Sequence, residues 1–122
     1  MKLDRDCMRD VLLTIEEKVG FKDSTSIQTL LTYPRLKEYR PVDVYYCVDK
    51  LTEAKFIKGI TYKGGPDYSE LTFEGHEFLE TIRDDEVWDK TTDALKKVGG
   101  ATIPIIYELA TSFIKTKLGL TV

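Results

Sequence analysis

Residues 41–75 of this chain read PVDVYYCVDKLTEAKFIKGITYKGGPDYSELTFEG, and this stretch decides the fold. It begins as an amphipathic helix, because Pro41 suits a first helical position and apolar residues recur at helical spacing. The apolar stripe consists of Val44, Cys47, Val48, Leu51 and Ala54. Residues 56–62 have a strand-like composition, residues 63–67 are rich in turn formers, and residues 68–71 can pair back. The order therefore predicts a long helix followed by a β-hairpin.

Upstream of this stretch, the sequence predicts one helix and one strand. Apolar residues at helical spacing over residues 4–19 indicate a helix, with Asp4 as its N-cap and Gly20 as a left-handed C-cap. Residues 24–33 are rich in β-formers, which favours a short strand. Residues 35–40 form a charged connector that can be one helical turn or none.

Downstream, three more helices are predicted, capped by Thr72, by Asp84 or Asp85, and by Thr102. The apolar face of the first helix consists of Gly75, Phe78, Leu79 and Ile82. That of the second consists of Val87, Trp88, Ala94, Leu95 and Val98. That of the third consists of Ile106, Leu109, Ala110, Phe113 and Ile114. Two or three short strands are not stable alone, so the hairpin must lie against helices. We therefore predict an α+β fold: a winged helix-turn-helix with a small antiparallel sheet of two or three strands over residues 1–71. Residues 72–122 form a C-terminal helical extension packed on it, so that the whole is a single compact unit.

Composition excludes several classes of protein. The 122 residues contain 18 Lys and Arg, 21 Asp and Glu and 42% hydrophobic residues, as in a globular domain rather than a disordered tail. No apolar run is long enough to span a bilayer, and the charged N-terminus does not resemble a signal peptide. Two cysteines and one histidine are too few for a disulfide framework or a Cys/His zinc site. We expect a cytoplasmic protein that does not bind membranes.

The charge pattern bears on DNA binding, because Lys and Arg must neutralise phosphates. Residues 41–54 carry one Lys against three acids, whereas residues 21–63 hold eight basic and five acidic residues and residues 64–95 hold two and ten. If DNA binds, we expect phosphate contacts from Arg35, Lys37, Arg40, Lys58 and Lys63, with Tyr46 and Lys50 approaching bases. The same asymmetry suits a basic protein partner equally well, and two solvated faces without a partner are a third interpretation.

No residue pattern points to catalysis, a metal or a cofactor. His76 and Glu80 are i, i+4 neighbours, but two ligands are too few for a metal, and a surface histidine is the simpler interpretation. The acids from Asp84 to Asp93 match no calcium loop and suit a helix N-terminus and a solvated face. Cys7 and Cys47 are interpreted as reduced, buried thiols. We expect no enzyme and no cofactor.

The last helix and Trp88 suggest a second kind of surface. A broad apolar band on a C-terminal helix either packs on its own domain or forms a dimer seam or partner groove. The residues that we assign to such a surface are Trp88, Phe113 and Ile114. A homodimer is therefore one of the expected states.

Two parts of the sequence resemble known proteins. Residues 51–57 and 71–75 resemble the turn before the wing, and the exit from it, in winged-helix domains. Residues 71–79, 82–88, 96–100 and 109–120 resemble a domain-of-unknown-function family of Gram-positive bacteria, phages and prophages, with YjcQ-like winged-helix proteins among its relatives. Cys47 replaces a histidine and Lys55 a glycine that are usual in these relatives.

The resemblance implies a winged-helix fold and a phage or prophage setting, without an established chemistry or ligand. Together with the charge pattern, it predicts a non-enzymatic binding or regulatory protein. One hypothesis is DNA-linked regulation through the motif and wing. The alternative is a protein–protein interaction module that modulates a host or phage protein.

Overall fold

The structure is a computed structural model that describes residues 1–62 and 65–120. In these residues the chain is α+β, with six helices and a two-stranded antiparallel sheet. The elements are α1 (Arg5–Lys18), α2 (Ile27–Leu30), α3 (Pro41–Glu53), β1 (Ile57–Tyr62), β2 (Gly65–Leu71), α4 (Phe73–Ile82), α5 (Asp85–Leu95) and α6 (Ile103–Lys117). A hairpin that directly follows α3 is consistent with a winged-helix-like fold, and the predicted fold class is confirmed. Part of the predicted turn, residues 63–64, lies outside the described residues.

The chain divides into two compact units, Met1–His76 and Glu77–Val122. In the first unit, α1 packs against α3, and each helix buries an apolar stripe at helical spacing. The fully buried side chains of α1 are Cys7, Met8, Val11, Leu12 and Ile15, and those of α3 include Val44 and Val48. The Asp4 carboxylate accepts a hydrogen bond from the Cys7 N–H at 3.0 Å, so Asp4 is the N-cap of α1, as predicted.

The predicted left-handed cap at Gly20 is wrong. The helix ends at Lys18, and Val19 is extended with φ −105° and ψ 113°. The left-handed residue in this loop is Lys22, with φ 60°. The chain therefore leaves α1 by an extended residue, without the glycine turn that the sequence indicated.

The predicted strand over residues 24–33 is also wrong, since residues 27–30 form the short helix α2. The Ser26 hydroxyl accepts a hydrogen bond from the Thr29 N–H at 3.2 Å, and this local cap outweighs the β propensity of the segment. In the described part of the chain, Thr25 is the one residue of this segment that pairs with the hairpin, through two backbone hydrogen bonds to Tyr68 of 2.7 and 2.9 Å. The expected third strand is reduced to this single bridge.

Thr72 and Gly75 join the hairpin to α4. The Thr72 N–H donates to the Phe56 carbonyl at 3.0 Å, and its hydroxyl donates to the Lys55 carbonyl at 2.6 Å. The same hydroxyl accepts the Gly75 N–H at 3.0 Å, so Thr72 caps α4 as predicted. A Cβ at Gly75 would lie 2.2 Å from the Phe56 carbonyl oxygen. The Leu-Thr-x-x-Gly exit of the hairpin is therefore a close backbone contact that requires glycine.

The second unit is built on α5 and α6, which pack against each other. The Asp84 carboxylate accepts the Val87 N–H at 3.0 Å and caps α5, as predicted. The prediction that Val98 and Ala54 are buried is wrong, because their helices end before them. Val98 follows the end of α5 at Leu95 and is 73% exposed. Ala54 follows the end of α3 and is also exposed. Of the predicted apolar band on α6, only Ile106 and Ala110 are buried. Leu109, Phe113 and Ile114 remain half-buried.

Candidate binding surfaces

The outward face of α3 combines exposed apolar side chains with charged ones. Val42 is 52% exposed and Tyr45 is 48% exposed, and Asp49 lies on the same side of the helix. These residues are exposed because the opposite stripe, Val44 to Leu51, is buried against α1 and the hairpin. We call Val42, Tyr45, Tyr46, Asp49 and Glu53 the α3 face.

Basic residues on and before α3 are paired with the protein's own carboxylates. The Arg40 guanidinium makes two hydrogen bonds of 2.9 Å to Asp43 and holds the pKa of that carboxyl below its usual value. The Lys50 ammonium lies 3.0 Å from Glu53. Arg35 pairs with Glu17 of α1 and lowers the pKa of that carboxyl as well.

Of the two residues expected to approach bases, Tyr46 and Lys50, the structure brings one against the other. The Lys50 Nζ atom lies 5.5 Å from the centre of the Tyr46 ring, within cation–π range. Tyr46 is half-buried, whereas Lys37 is exposed in the turn before α3. Lys63, the remaining predicted phosphate contact, lies outside the described residues. Among the predicted Lys and Arg residues that the structure describes, only Lys37 has no ion pair within residues 1–62 and 65–120.

A cleft of about 630 Å³ lies beside the hairpin, lined by three lysines, Lys22, Lys55 and Lys58. Lys58 pairs with Glu70 at 2.8 Å, and the Lys22 N–H also donates to Glu70 at 3.1 Å. Both contacts lower the pKa of the Glu70 carboxyl, with the Lys58 hydrogen bond the larger cause. Lys22 and Lys55 have left-handed backbones, with φ 60° and 67°, which non-glycine residues rarely adopt. We call this the hairpin cleft.

The only histidine and the two thiols of the first unit lie at separate places. His76 Nδ1 is 3.8 Å from Glu16 Oε2, a neighbour that the sequence did not indicate.

Cys7 and Cys47 are buried and unbridged, as predicted. The Cys47 thiol donates to the Asp4 carbonyl at 3.6 Å. The Cys7 thiol donates a hydrogen bond to Cys47, and this bond, together with burial, raises the pKa of Cys7.

Asp10 of α1 is a half-buried carboxylate in the first unit. The Tyr39 hydroxyl donates a 2.7 Å hydrogen bond to its Oδ2 atom. Burial raises the pKa of Asp10, although the hydrogen bond from Tyr39 opposes the shift. Burial and the carboxylate together raise the pKa of Tyr39. The pair ties the connector before α3 to α1.

The three predicted partner-binding residues lie in the second unit, and they differ in exposure. Trp88 is only 4% exposed, so its ring is not available on the surface. Phe113 and Ile114 of α6 are half-buried. Ile114 lines a groove of about 470 Å³ together with Val87, Leu118 and four charged residues, Glu80, Arg83, Asp84 and Lys117. Lys117 bonds to both oxygens of Asp84 at 2.9 Å.

Val42, Tyr45, Lys22 and Lys55 were not predicted as binding residues from the sequence. Val42 and Tyr45 could have been found from the helical pattern. They lie at helical spacing from Asp49, on the side of α3 opposite the predicted apolar stripe. Lys22 and Lys55 could not be found in this way, because their proximity to each other depends on the loop after α1 folding back towards the hairpin.

Within residues 1–62 and 65–120, no group of three His, Cys, Asp or Glu side chains is placed to hold a metal ion. None of the described helices is both long and apolar enough to span a membrane. The fold and these surfaces define an α+β domain with a winged-helix-like arrangement. The chain belongs to the family described as Hypothetical protein (DUF2513), whose model matches residues 2–102. Searches of curated proteins and of solved structures gave no match.

Proposed function

We propose that this chain is a non-enzymatic binding module whose α3 face binds a protein partner that carries basic residues. One observation carries the proposal: α3 exposes Val42 and Tyr45, while Arg40 and Lys50 are paired with carboxylates of the same segment. Tyrosine is among the residues that most often dominate protein interfaces. The exposed carboxylate of Asp49 favours a partner of opposite charge.

The same ion pairs argue against docking α3 into a DNA groove. Binding to phosphates draws its free energy from Lys and Arg that displace counterions. Arg35, Arg40, Lys50 and Lys58 would each have to leave a carboxylate first, and that carboxylate would then face the phosphates. A protein partner that contributes its own cations does not require these ion pairs to break, so it avoids that free-energy cost.

DNA-linked regulation is the second candidate, and the hairpin cleft favours it. Lys22, Lys55 and Lys58 line one cleft against a single carboxylate, Glu70. Such a cluster suits a phosphate backbone beside a wing. A phage or prophage setting, in which either binding mode would regulate a host or phage process, is part of this proposal and rests on the resemblance described above.

A binding role, as opposed to catalysis, is supported by the positions of the reactive side chains on α1. Glu16, which lies beside His76, is nine residues from Cys7, which corresponds to about 13 Å along the helix. Nucleophilic catalysis needs the thiol and its base within hydrogen-bonding reach. The thiols are also buried, so a substrate has no path to them.

The test is a pull-down with the full chain from a lysate of the source organism, with and without nuclease. We expect a bound protein that persists after nuclease treatment and is lost with Tyr45→Ala. Phe73→Ala is the matched control, because Phe73 is an exposed aromatic residue outside α3. Equal binding by both variants, or binding abolished by nuclease, would contradict the proposal.

Fluorescence anisotropy with mixed-sequence duplex DNA at low salt distinguishes the second candidate. A flat titration supports protein binding alone. A saturable signal that the triple variant Lys22→Ala, Lys55→Ala and Lys58→Ala abolishes would assign the DNA role to the hairpin cleft.

A further inference from the structure

One side of α6 is largely apolar, and part of it is exposed. Tyr107, Thr111, Ile114 and Leu118 recur every three or four residues and therefore share a helix face. Tyr107 is 46% exposed and Leu118 is 66% exposed, while Thr111 and Ile114 are half-buried. We call these four residues the α6 seam. An exposed apolar stripe of this kind marks an interaction surface.

Two charged residues flank the α6 seam on the side away from the buried Ile106 and Ala110. Glu108 and Lys115 are both exposed, seven residues apart, and therefore on the same side of the helix. Neither is in an ion pair within residues 1–62 and 65–120. The seam thus carries one free acid near its beginning and one free base near its end.

We propose that the α6 seam binds a second copy of this chain, with the two helices antiparallel about a two-fold axis. A two-fold interface must be self-complementary, so that residue i of one copy contacts residue j of the other, and the reverse. In this arrangement Glu108 lies opposite the second copy's Lys115, Tyr107 opposite its Leu118, and Thr111 opposite its Ile114. All three pairings are centred between residues 111 and 113, so a single axis satisfies them together.

The size of the seam sets the strength of the dimer. The stripe from Tyr107 to Leu118 is about 16 Å long, roughly three helical turns. A contact of one helix face on each side falls below about 1,200 Å² in total, which is the range of weak, transient interfaces. The dimer is therefore expected to form at micromolar concentration, and the monomer to dominate in dilute solution.

Sedimentation velocity of the full chain over low to high micromolar concentration tests the proposal. We expect the mass to rise from 14.0 kDa towards twice that value. Glu108→Lys or Lys115→Glu alone should weaken the dimer about ten-fold, because two exposed ion pairs become two repulsions. Lys97→Glu, an exposed charge change outside α6, is the matched control and should leave the mass unchanged.

Mixing the two single variants gives the sharpest result. In a heterodimer of Glu108→Lys with Lys115→Glu, both cross-pairs are attractive again, so the dimer should return when the two are combined. Circular dichroism of each variant checks that the chain stays folded. A mass that stays at 14.0 kDa throughout would overturn the proposal, and the α6 seam would then be a surface for a different protein. Dimers that are equally strong in both single variants, or no recovery on mixing, would also overturn it.

Discussion

At the scale of the residue, Gly75 is where a helix and the hairpin junction approach most closely. Its missing side chain leaves room for the Phe56 carbonyl, 2.2 Å from where a Cβ would be. A backbone atom cannot move aside as the tip of a flexible side chain can, so the contact must lengthen and the Thr72 hydrogen bonds must distort. The glycine of the Leu-Thr-x-x-Gly motif is therefore explained by packing and not by backbone dihedral angles.

We predict that Gly75→Ala lowers the free energy of unfolding by about 3 kcal/mol, the upper part of the range for overpacking. The measurement is chemical denaturation followed by circular dichroism. Glu77→Ala, at an exposed position of the same helix, is the control and should change stability by less than about 0.5 kcal/mol. Equal stability of the two variants would show that the junction can relax without cost.

Asp10 is the residue whose charge the fold disfavours. Because burial raises its pKa, the folded state prefers the protonated carboxyl, and its contribution to stability is lost as pH rises through the folded-state pKa. The Tyr39 hydrogen bond needs only an acceptor oxygen, which asparagine also provides.

We therefore predict that Asp10→Asn is more stable than the parent at neutral pH. The difference should shrink as pH falls from about 7 to about 4, because the parent then protonates. Denaturation midpoints across this range measure it, with Asp89→Asn on the exposed side of α5 as a control for the loss of one charge. A difference that grows on acidification would contradict the sign of the shift.

At the scale of the element, α1 depends on its cap and on its contact with α3. Asp4 caps the first turn through its side chain, and its carbonyl accepts both the Met8 N–H and the Cys47 thiol. One residue thus begins α1 and contacts the buried side of α3. The helices of the first unit are fixed to each other at the N-terminal end of α1.

We predict that Asp4→Ala costs about 1 kcal/mol of unfolding free energy, because the Cys7 N–H loses its acceptor. Asp4→Asn keeps an acceptor oxygen at the same place and should cost much less. Thermal or urea denaturation of the two variants separates the cap from the charge. Identical losses would mean that the charge, and not the hydrogen bond, stabilises the helix.

At the scale of the whole molecule, the distribution of charge matters more than its small total. The chain has a net charge of −3, yet residues 64–95 hold ten of its 21 acids and only two of its 18 basic residues. Most cations of the α3 region are already paired, as described above. Such a molecule presents few free cations to a polyanion and many carboxylates to a polycation.

We predict that the chain binds to an anion exchanger and passes through heparin at neutral pH. The variant with alanine at Lys22, Lys55 and Lys58 should also pass through heparin. It should elute from the anion exchanger at higher salt than the parent, because its net charge falls from −3 to −6. Strong retention of the parent on heparin, lost in this variant, would instead indicate that the hairpin cleft is a polyanion site.

The sequence by itself determined five of the six described helices, most of their caps and the hairpin, because these depend on spacing and on hydrogen bonds within a few residues. Asp4, Thr72 and Asp84 were found as caps for this reason, and the buried stripes of α1, α3 and α4 follow from helical periodicity. The strand expected at residues 24–33 failed where a serine cap competed with β propensity over a short segment.

Only the tertiary structure decided which charges are paired and which apolar residues stay exposed. Arg35 with Glu17 and Lys58 with Glu70 are ion pairs between residues 18 and 12 positions apart, and no local pattern specifies them. Trp88 is buried whereas Phe113 and Ile114 are half-buried, although the sequence placed all three in one surface. The physical reason is that exposure and pairing depend on what packs against a side chain, and that is fixed by the path of the whole chain.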